Sequence, residues 1–266
     1  MIGQEKLLHK LKDFTRDTFS HSVLLLGESG SGKHLIAQHI AEDLLKLPLL
    51  DISENISEEL IGSIYRNPNP QVYLINLGQL TEASQNVLLK FVEEPLNNAF
   101  VILLAENTFN VLNTLVNRCM ILYMDPYTPE ELQMFMPRGA DRALVLKVAH
   151  TPGQLKNLNV NTLEDMQNVC SKIATRLSQA NFANTLSISN KINFKDEYDK
   201  FDLRAFLMLL SDTLYEHYLG ENNSEVYKLY ELTQQHQQRL RDSRLNKEHF
   251  VNHFLTCLWK ASRGLT

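Results

Sequence analysis

Apolar positions follow two different rhythms along the chain. In the first half, short unbroken apolar runs at 23–26, 72–75, 100–105 and 120–124 have the length and continuity of strands covered on both faces. Helical spacing fills the gaps between them. Leu7, Leu8, Leu11 and Phe14 form one face over 4–14, and 35–45 and 57–65 carry two further helical stretches. Gln85, Leu88, Leu89 and Val92 continue a helix that starts at Thr81 and is stopped by Pro95. A short strand over 49–52 and a short helix over 112–116 complete the series. Strands alternating with helices at this spacing predict an α/β fold, a parallel sheet with helices on both faces.

The rhythm changes after Pro126. Residues 129–158 read as short helices punctuated by Pro137 and Pro152. A longer helix over 163–177 carries Leu163, Met166, Val169, Ile173 and Leu177 on one side. Residues 190–199 are polar, and three amphipathic helices follow at 203–219, 226–240 and 247–259. The last of these carries Phe250, Phe254, Leu258 and Trp259. The glutamine-rich run 234–238 reads as a solvated helix face. The expected division is 1–125, 126–180 and 181–266.

Composition narrows the possibilities. A chain of 266 residues with 44% hydrophobic content can build two or three real cores. A formal charge of -5 excludes a global basic field for nucleic acid, so any DNA contact must be local or belong to a partner. Cys119, Cys170 and Cys257 lie far apart, which gives no zinc spacing and no disulfide framework; an intracellular, cytoplasmic setting is expected, and no metal. The N-terminus lacks a signal-peptide core, and no apolar run reaches membrane-spanning length.

The chemistry concentrates after the first strand, in Gly27-Glu28-Ser29-Gly30-Ser31-Gly32-Lys33-His34. Gly27, Gly30 and Gly32 permit a tight turn, and successive backbone N–H groups at a helix start cradle phosphate oxygens while Lys33 adds a positive charge. The Ser or Thr that follows the lysine and holds magnesium is replaced by His34. A phosphate-loop ATPase also needs an acidic residue at the end of its metal-organising strand. The strand 72–75 is followed by Asn76 and Leu77, neither of which can do that work. Three losses on one reaction predict that hydrolysis is absent.

The stretch Asn86-Val87-Leu88-Leu89-Lys90-Phe91-Val92-Glu93-Glu94-Pro95 resembles the N-A-L-L-K-x-x-E-E-P signature of bacterial clamp-loader subunits of the AAA+ class. Asn117-Arg118-Cys119 resembles their Ser-Arg-Cys motif, Ile2-Gly3-Gln4 and His21 their opening, and Thr151-Pro152-Gly153 the lid segment of the delta-prime kind, which also lacks the sensor arginine. The resemblance covers residues 1 to about 160; beyond that only the helical character agrees. It implies a AAA+ core at 1–125, a helical lid at 126–180 and an all-helical collar at 181–266. It also implies a non-hydrolysing subunit of the DNA polymerase III clamp loader, one that supplies Arg118 in trans to ATP on a neighbour. The vestigial loop Gly27, Gly30, Gly32 and Lys33 would bind ATP or ADP weakly, with no cofactor required. Zinc is not expected, because no cysteine precedes Cys119. The implied partners are the other subunits of a hetero-pentamer and, through the complex, the sliding clamp and primer-template DNA, with no membrane. A hydrolysing helicase loader or motor-type clamp-loader subunit, and a purely structural AAA+ module, are the competing readings.

Overall fold

The structure is a computed structural model of the chain and describes residues 2–54, 56–93, 99–177, 202–221, 224–239 and 247–261. Its organising strand is β1 (Ser22–Leu26), buried along its whole length. Side chains alternate across a strand, so Val23 and Leu25 enter one apolar layer while Leu24 and Leu26 enter the other. The first layer is completed by Leu7 and Leu11 of α1 (Glu5–Leu11) and by Ile36, Ala37 and Ile40. The second holds Ile61 of α3 (Glu58–Tyr65), Leu88 and Phe91 of α4 (Glu82–Glu93) and Leu115 of α5 (Asn113–Val116).

Five parallel strands build the sheet in the order β2-β3-β4-β1-β5. The others are β2 (Leu49–Asp51), β3 (Gln71–Asn76), β4 (Ala99–Ala105) and β5 (Met120–Tyr123). The fully apolar β4 is central, between β3 and β1, as its unbroken run predicts. The helix after the glycine loop, α2, is α-helical over Lys33–His39 and continues as π-helical turns over Ile40–Leu45. Lys46 then adopts a left-handed φ of 57°, and Pro48 prevents continuation. The Ser57 hydroxyl caps α3 by accepting from the Leu60 N–H at 3.2 Å, and the Thr81 hydroxyl accepts from Ser84 N–H at the start of α4. The expected stop at Pro95 lies outside the described residues.

The N-terminus is tied to the far end of β5. Gln4 is almost fully buried; its amide donates to the Asp125 carbonyl and accepts from the Asp125 N–H, both at 2.9 Å. The Asp125 carboxylate in turn accepts from the Leu7 N–H in the first turn of α1. Gly3 has a φ of 74°, and a Cβ there would come within 2.6 Å of the Tyr127 ring. Gly3-Gln4 is therefore a packing device.

The chain divides into two units, Met1–Phe135 with Thr151–Lys156, and Met136–His150 with Asn157–Thr266. The first also contains α6 (Pro129–Gln133), which opens with a reciprocal cap between Thr128 and Glu131, and most of α8 (Pro152–Asn157). The second is helical in its described residues: α7 (Arg142–Leu146), α9 (Val160–Leu177), α10 (Leu203–Glu221), α11 (Ser224–Arg239) and α12 (Lys247–Ala261). The polar stretch 190–199 and the 180/181 boundary expected from the sequence lie outside the described residues. The glutamine-rich run is not the uniformly solvated face expected of it. His236 is buried, and the Gln234 amide donates to the Ser211 hydroxyl on α10 at 2.8 Å. Composition hid this, because a buried histidine and an inward-bonding glutamine do not alter the polarity of a window.

Two outcomes follow. Gln4→Ala strands both Asp125 backbone groups and should cost about 1–3 kcal/mol of unfolding free energy, read as a lower urea midpoint. In the second unit Lys147 lies between Asp212 at 2.5 Å and Glu216 at 2.9 Å. The hydrogen bond to Asp212 raises its pKa above the ordinary 10.5, against a smaller opposing effect of burial. The folded state holds this proton more tightly than the unfolded chain. The resulting stability is full below the unfolded pKa and is lost as pH rises through the folded one. The urea midpoint of the wild type should therefore fall more than that of Lys147→Met as pH climbs from roughly 9 to 11.

Candidate functional site

The glycine loop begins where β1 ends. Gly27 N–H donates to the Ala105 carbonyl at 3.1 Å, which continues the β1–β4 ladder by one bond before the chain turns. Gly30 and Gly32 take φ values of 75° and 93°, the left-handed region that favours glycine. Gly32 thereby delivers Lys33 as the first residue of α2. The sequence-predicted group Gly27, Gly30, Gly32 and Lys33 comes together as one strand–loop–helix turn.

Two features set this loop apart from an open phosphate cradle. The Lys33 ammonium folds back on its own loop, donating to the Gly27 carbonyl at 2.5 Å and the Glu28 carbonyl at 2.8 Å. Burial pushes its pKa down, and the nearby carboxylates of Glu106 and Glu28 push the other way. The second feature is the segment Thr151-Pro152-Gly153-Gln154, which lies on the loop. The Thr151 hydroxyl donates to the Ser29 carbonyl at 2.7 Å, Gly153 N–H to the Gly30 carbonyl at 3.0 Å, and the Gln154 amide to the Glu28 carboxylate at 3.3 Å. Tyr127 adds a bond from its hydroxyl to the Ser31 carbonyl at 2.9 Å. Glycine faces glycine at the closest point: a Cβ on Gly153 would sit 2.4 Å from Gly30 Cα, and one on Gly30 would sit 2.7 Å from Gly153 Cα. Five successive loop carbonyls, from Gly27 to Ser31, are thus occupied by the protein's own donors.

The positions around the loop have other partners. His34 is exposed, with Nε2 3.9 Å from the Asp51 carboxylate. Asn76 ends β3, and its side-chain oxygen accepts from Gly78 N–H at 3.1 Å, capping the 3₁₀ turn Leu77–Gln79. Its backbone N–H donates to the Ser53 hydroxyl at 2.9 Å. Leu77 is buried in the second apolar layer. Asn107, just after β4, turns its oxygen to the Phe109 N–H at 3.0 Å. His21 stacks on Phe100 with ring centroids 5.2 Å apart, and its Nδ1 lies 3.3 Å from the Ala99 carbonyl, a packing arrangement. Glu28, Glu106, Tyr127 and the Thr151–Gln154 contact escaped the sequence reading. Of these only Thr151-Pro152-Gly153 carried a local signal.

Arg118 sits apart from this group. It follows α5 and precedes β5, whose Met120 pairs with Val23 near the start of β1. The glycine loop begins beyond Leu26, so roughly 10 Å of parallel strand separates the two ends of the sheet. Arg118 is exposed. Its Nε bonds the Glu93 carboxylate at 2.6 Å, and a terminal nitrogen donates to the Thr114 carbonyl at 2.9 Å. The domain-internal partner is thus Glu93 at the end of α4. The Asp125 carboxylate, beyond the other end of β5, accepts from the Leu7 N–H instead. Cys119, next in sequence, is half-buried, and this loss of water pushes its thiol up to about 12.

The Gly30–Gly153 contact leaves no room for a methyl group. Gly153→Ala should therefore displace the 151–154 segment, cost about 1–3 kcal/mol, and raise amide hydrogen exchange at Gly153 and Gln154 relative to the wild type.

The family model described as DNA polymerase III, delta subunit, matches residues 51–128. DNA polymerase III subunit delta' of Haemophilus influenzae is 33% identical over 95 residues, covering 33% of this chain and 29% of that protein. The Bacillus subtilis protein of the same name is 29% identical over 138 residues, covering 52% of this chain and 40% of its own length. The corresponding Buchnera aphidicola protein is 25% identical over 158 residues, 54% of this chain and 45% of its own. The chain thus spans less than half the length of these curated relatives. Among solved structures, a DNA polymerase III gamma subunit-related protein from Thermotoga maritima superposes with a TM-score of 0.51 at 16% identity, covering 98% of this chain and all of that one, a likeness of fold alone. Over the matched part, the chain is thus similar to DNA polymerase III delta' subunits, and its five-stranded parallel sheet has the fold of the gamma subunit-related protein.

Proposed function

We propose that this chain takes the delta-prime role in full: it does not hydrolyse ATP at its own loop, and it presents Arg118 to a nucleotide held by a neighbouring subunit. The observation that carries this reading is the placement of Arg118. It is exposed and lies at the opposite end of β1 and β5 from its own glycine loop. A guanidinium there has no work to do in cis, whereas a phosphate brought by another subunit would meet a planar, permanently charged fork. The salt bridge to Glu93 does not oppose this. Its two side chains are 40% and 44% exposed, and such pairs are worth about 0–1 kcal/mol, so Arg118 can change partners cheaply.

The loop supports the other half of the reading. Lys33 is spent on loop carbonyls, His34 offers no hydroxyl to magnesium, and Asn76 is used as a turn cap. Weak ATP or ADP binding by Gly27, Gly30, Gly32 and Lys33 is compatible with the role, and no zinc is needed for it. The remaining assignments belong to the same proposal. Residues 126–180 serve as a lid and 181–266 as a collar. The partners are the other subunits of a hetero-pentamer, with the sliding clamp and primer-template DNA engaged through the complex in the cytoplasm. Among the described residues no helix is long and apolar enough to cross a membrane.

The test is ATP turnover by the loader reconstituted around this chain, with clamp and primed DNA present. Arg118→Ala should assemble normally, melt within about 1 kcal/mol of the wild type, and lower turnover about tenfold or more. Single arginine fingers reach roughly 10³–10⁵ in other phosphoryl transfers; the remaining interfaces of the loader would dilute the effect here. Lys33→Ala should leave turnover unchanged, and the isolated chain should release no phosphate above that control. Unchanged turnover in a correctly assembled Arg118→Ala complex removes the arginine from the mechanism. Lys33-dependent phosphate release by the isolated chain identifies it as a motor subunit instead.

A further inference from the structure

Within the second unit, α11 and α12 bring together three side chains that neither the glycine loop nor Arg118 involves. His236 lies on α11. His253 and Cys257 lie one helical turn apart on α12, on the same face. One ligand atom from each of the three falls within 4.8 Å of the others. Cys257 Sγ is 3.8 Å from both ring nitrogens of His253. A tetrahedral zinc-type site, with metal–nitrogen bonds of about 2.0–2.1 Å and a metal–sulfur bond of about 2.3 Å, needs ligand atoms about 3.3–3.6 Å apart. The Cys257–His253 pair is close to that spacing already, and the widest pair must close by about 1 Å. His253 is exposed and can swing to make up the difference, whereas His236 is buried and Cys257 half-buried.

The orientation of His236 is set as a ligand's would be. Its Nδ1 lies 2.9 Å from the Leu232 carbonyl. A carbonyl only accepts, so Nδ1 carries the proton and the lone pair is on Nε2. An imidazole whose other nitrogen donates to a backbone carbonyl is the usual outer-shell arrangement at protein metal sites. Phe254 and Phe250 hold the ring from the side, with centroids 4.9 and 5.7 Å away. We propose that His236, His253 and Cys257 bind one divalent transition-metal ion of the zinc class, joining α11 to α12. His236 Nε2, a ring nitrogen of His253 and the Cys257 sulfur are the protein ligands, and water fills the fourth, solvent-facing position. On ligation the thiol loses its proton to the buffer and binds as thiolate. Two imidazoles and a thiolate favour zinc, cobalt or copper over magnesium and calcium, which take oxygen ligands. Residue spacing alone offers no reason to expect a metal here. His253 and Cys257 supply only a two-ligand spacing, and His236 stands in the glutamine-rich run.

The competing account is packing alone, with His236 as a core histidine beside a surface pair. Cobalt(II) titration of the full-length, reduced, chelator-treated protein separates the two. A bound thiolate gives a near-ultraviolet charge-transfer band that should saturate at one equivalent and bleach when zinc(II) is added. The band should vanish in Cys257→Ala and weaken at least tenfold in His253→Ala; both positions reach solvent, and circular dichroism confirms that the variants remain folded. Zinc(II) at about a hundred times its dissociation constant should raise the melting temperature by roughly 5 °C or more in the wild type and in neither variant. No charge-transfer band, or one that survives Cys257→Ala, overturns the proposal. So does cobalt affinity within twofold of wild type in His253→Ala.

Discussion

A parallel strand with apolar side chains on both faces can only exist with both of its backbone edges paired and both of its faces covered. For β1 that requirement fixes the first unit. β4 and β5 take its two edges, α1 and α2 cover one face, and α3, α4 and α5 cover the other. Because all three strands run the same way, whatever follows β1 and whatever precedes β5 are held at opposite ends of the sheet. The glycine loop and Arg118 are those two things, and their separation follows from strand direction alone.

The features legible from sequence were those written in local patterning. Continuous apolar runs in β1, β3 and β4, the helix starts at Ser57 and Thr81, and the glycines at 27, 30 and 32 are each decided within about a dozen residues. The structure places them where the patterning puts them. The strand order β2-β3-β4-β1-β5 is not written in that patterning, because it depends on which strands meet after each crossover.

The features that escaped were contacts between residues distant in sequence. Thr151 reaches Ser29 across 122 positions, and Gln4 reaches Asp125 across 121. Neither pair shares a window that a periodicity argument could weigh. The same holds for His236: it packs on Phe250 and Phe254 of α12, and its own neighbours in sequence are glutamines. Arg118 was recognised by its motif, but its bond to Glu93 was not foreseen. Two residues that both belong to signature segments satisfy each other in the free subunit.

That bond makes Arg118 a site with a resident competitor. Any anion arriving from outside must displace a carboxylate that the protein itself supplies at very high local concentration. Its apparent dissociation constant is then the intrinsic one divided by the fraction of time the pair is open. For a pair worth about 1 kcal/mol, the closed form outweighs the open by about five to one. The penalty is therefore less than tenfold. If Arg118 acts as proposed, that penalty weighs against stray anions in solution and is too small to obstruct a ligand held in place by a whole subunit interface.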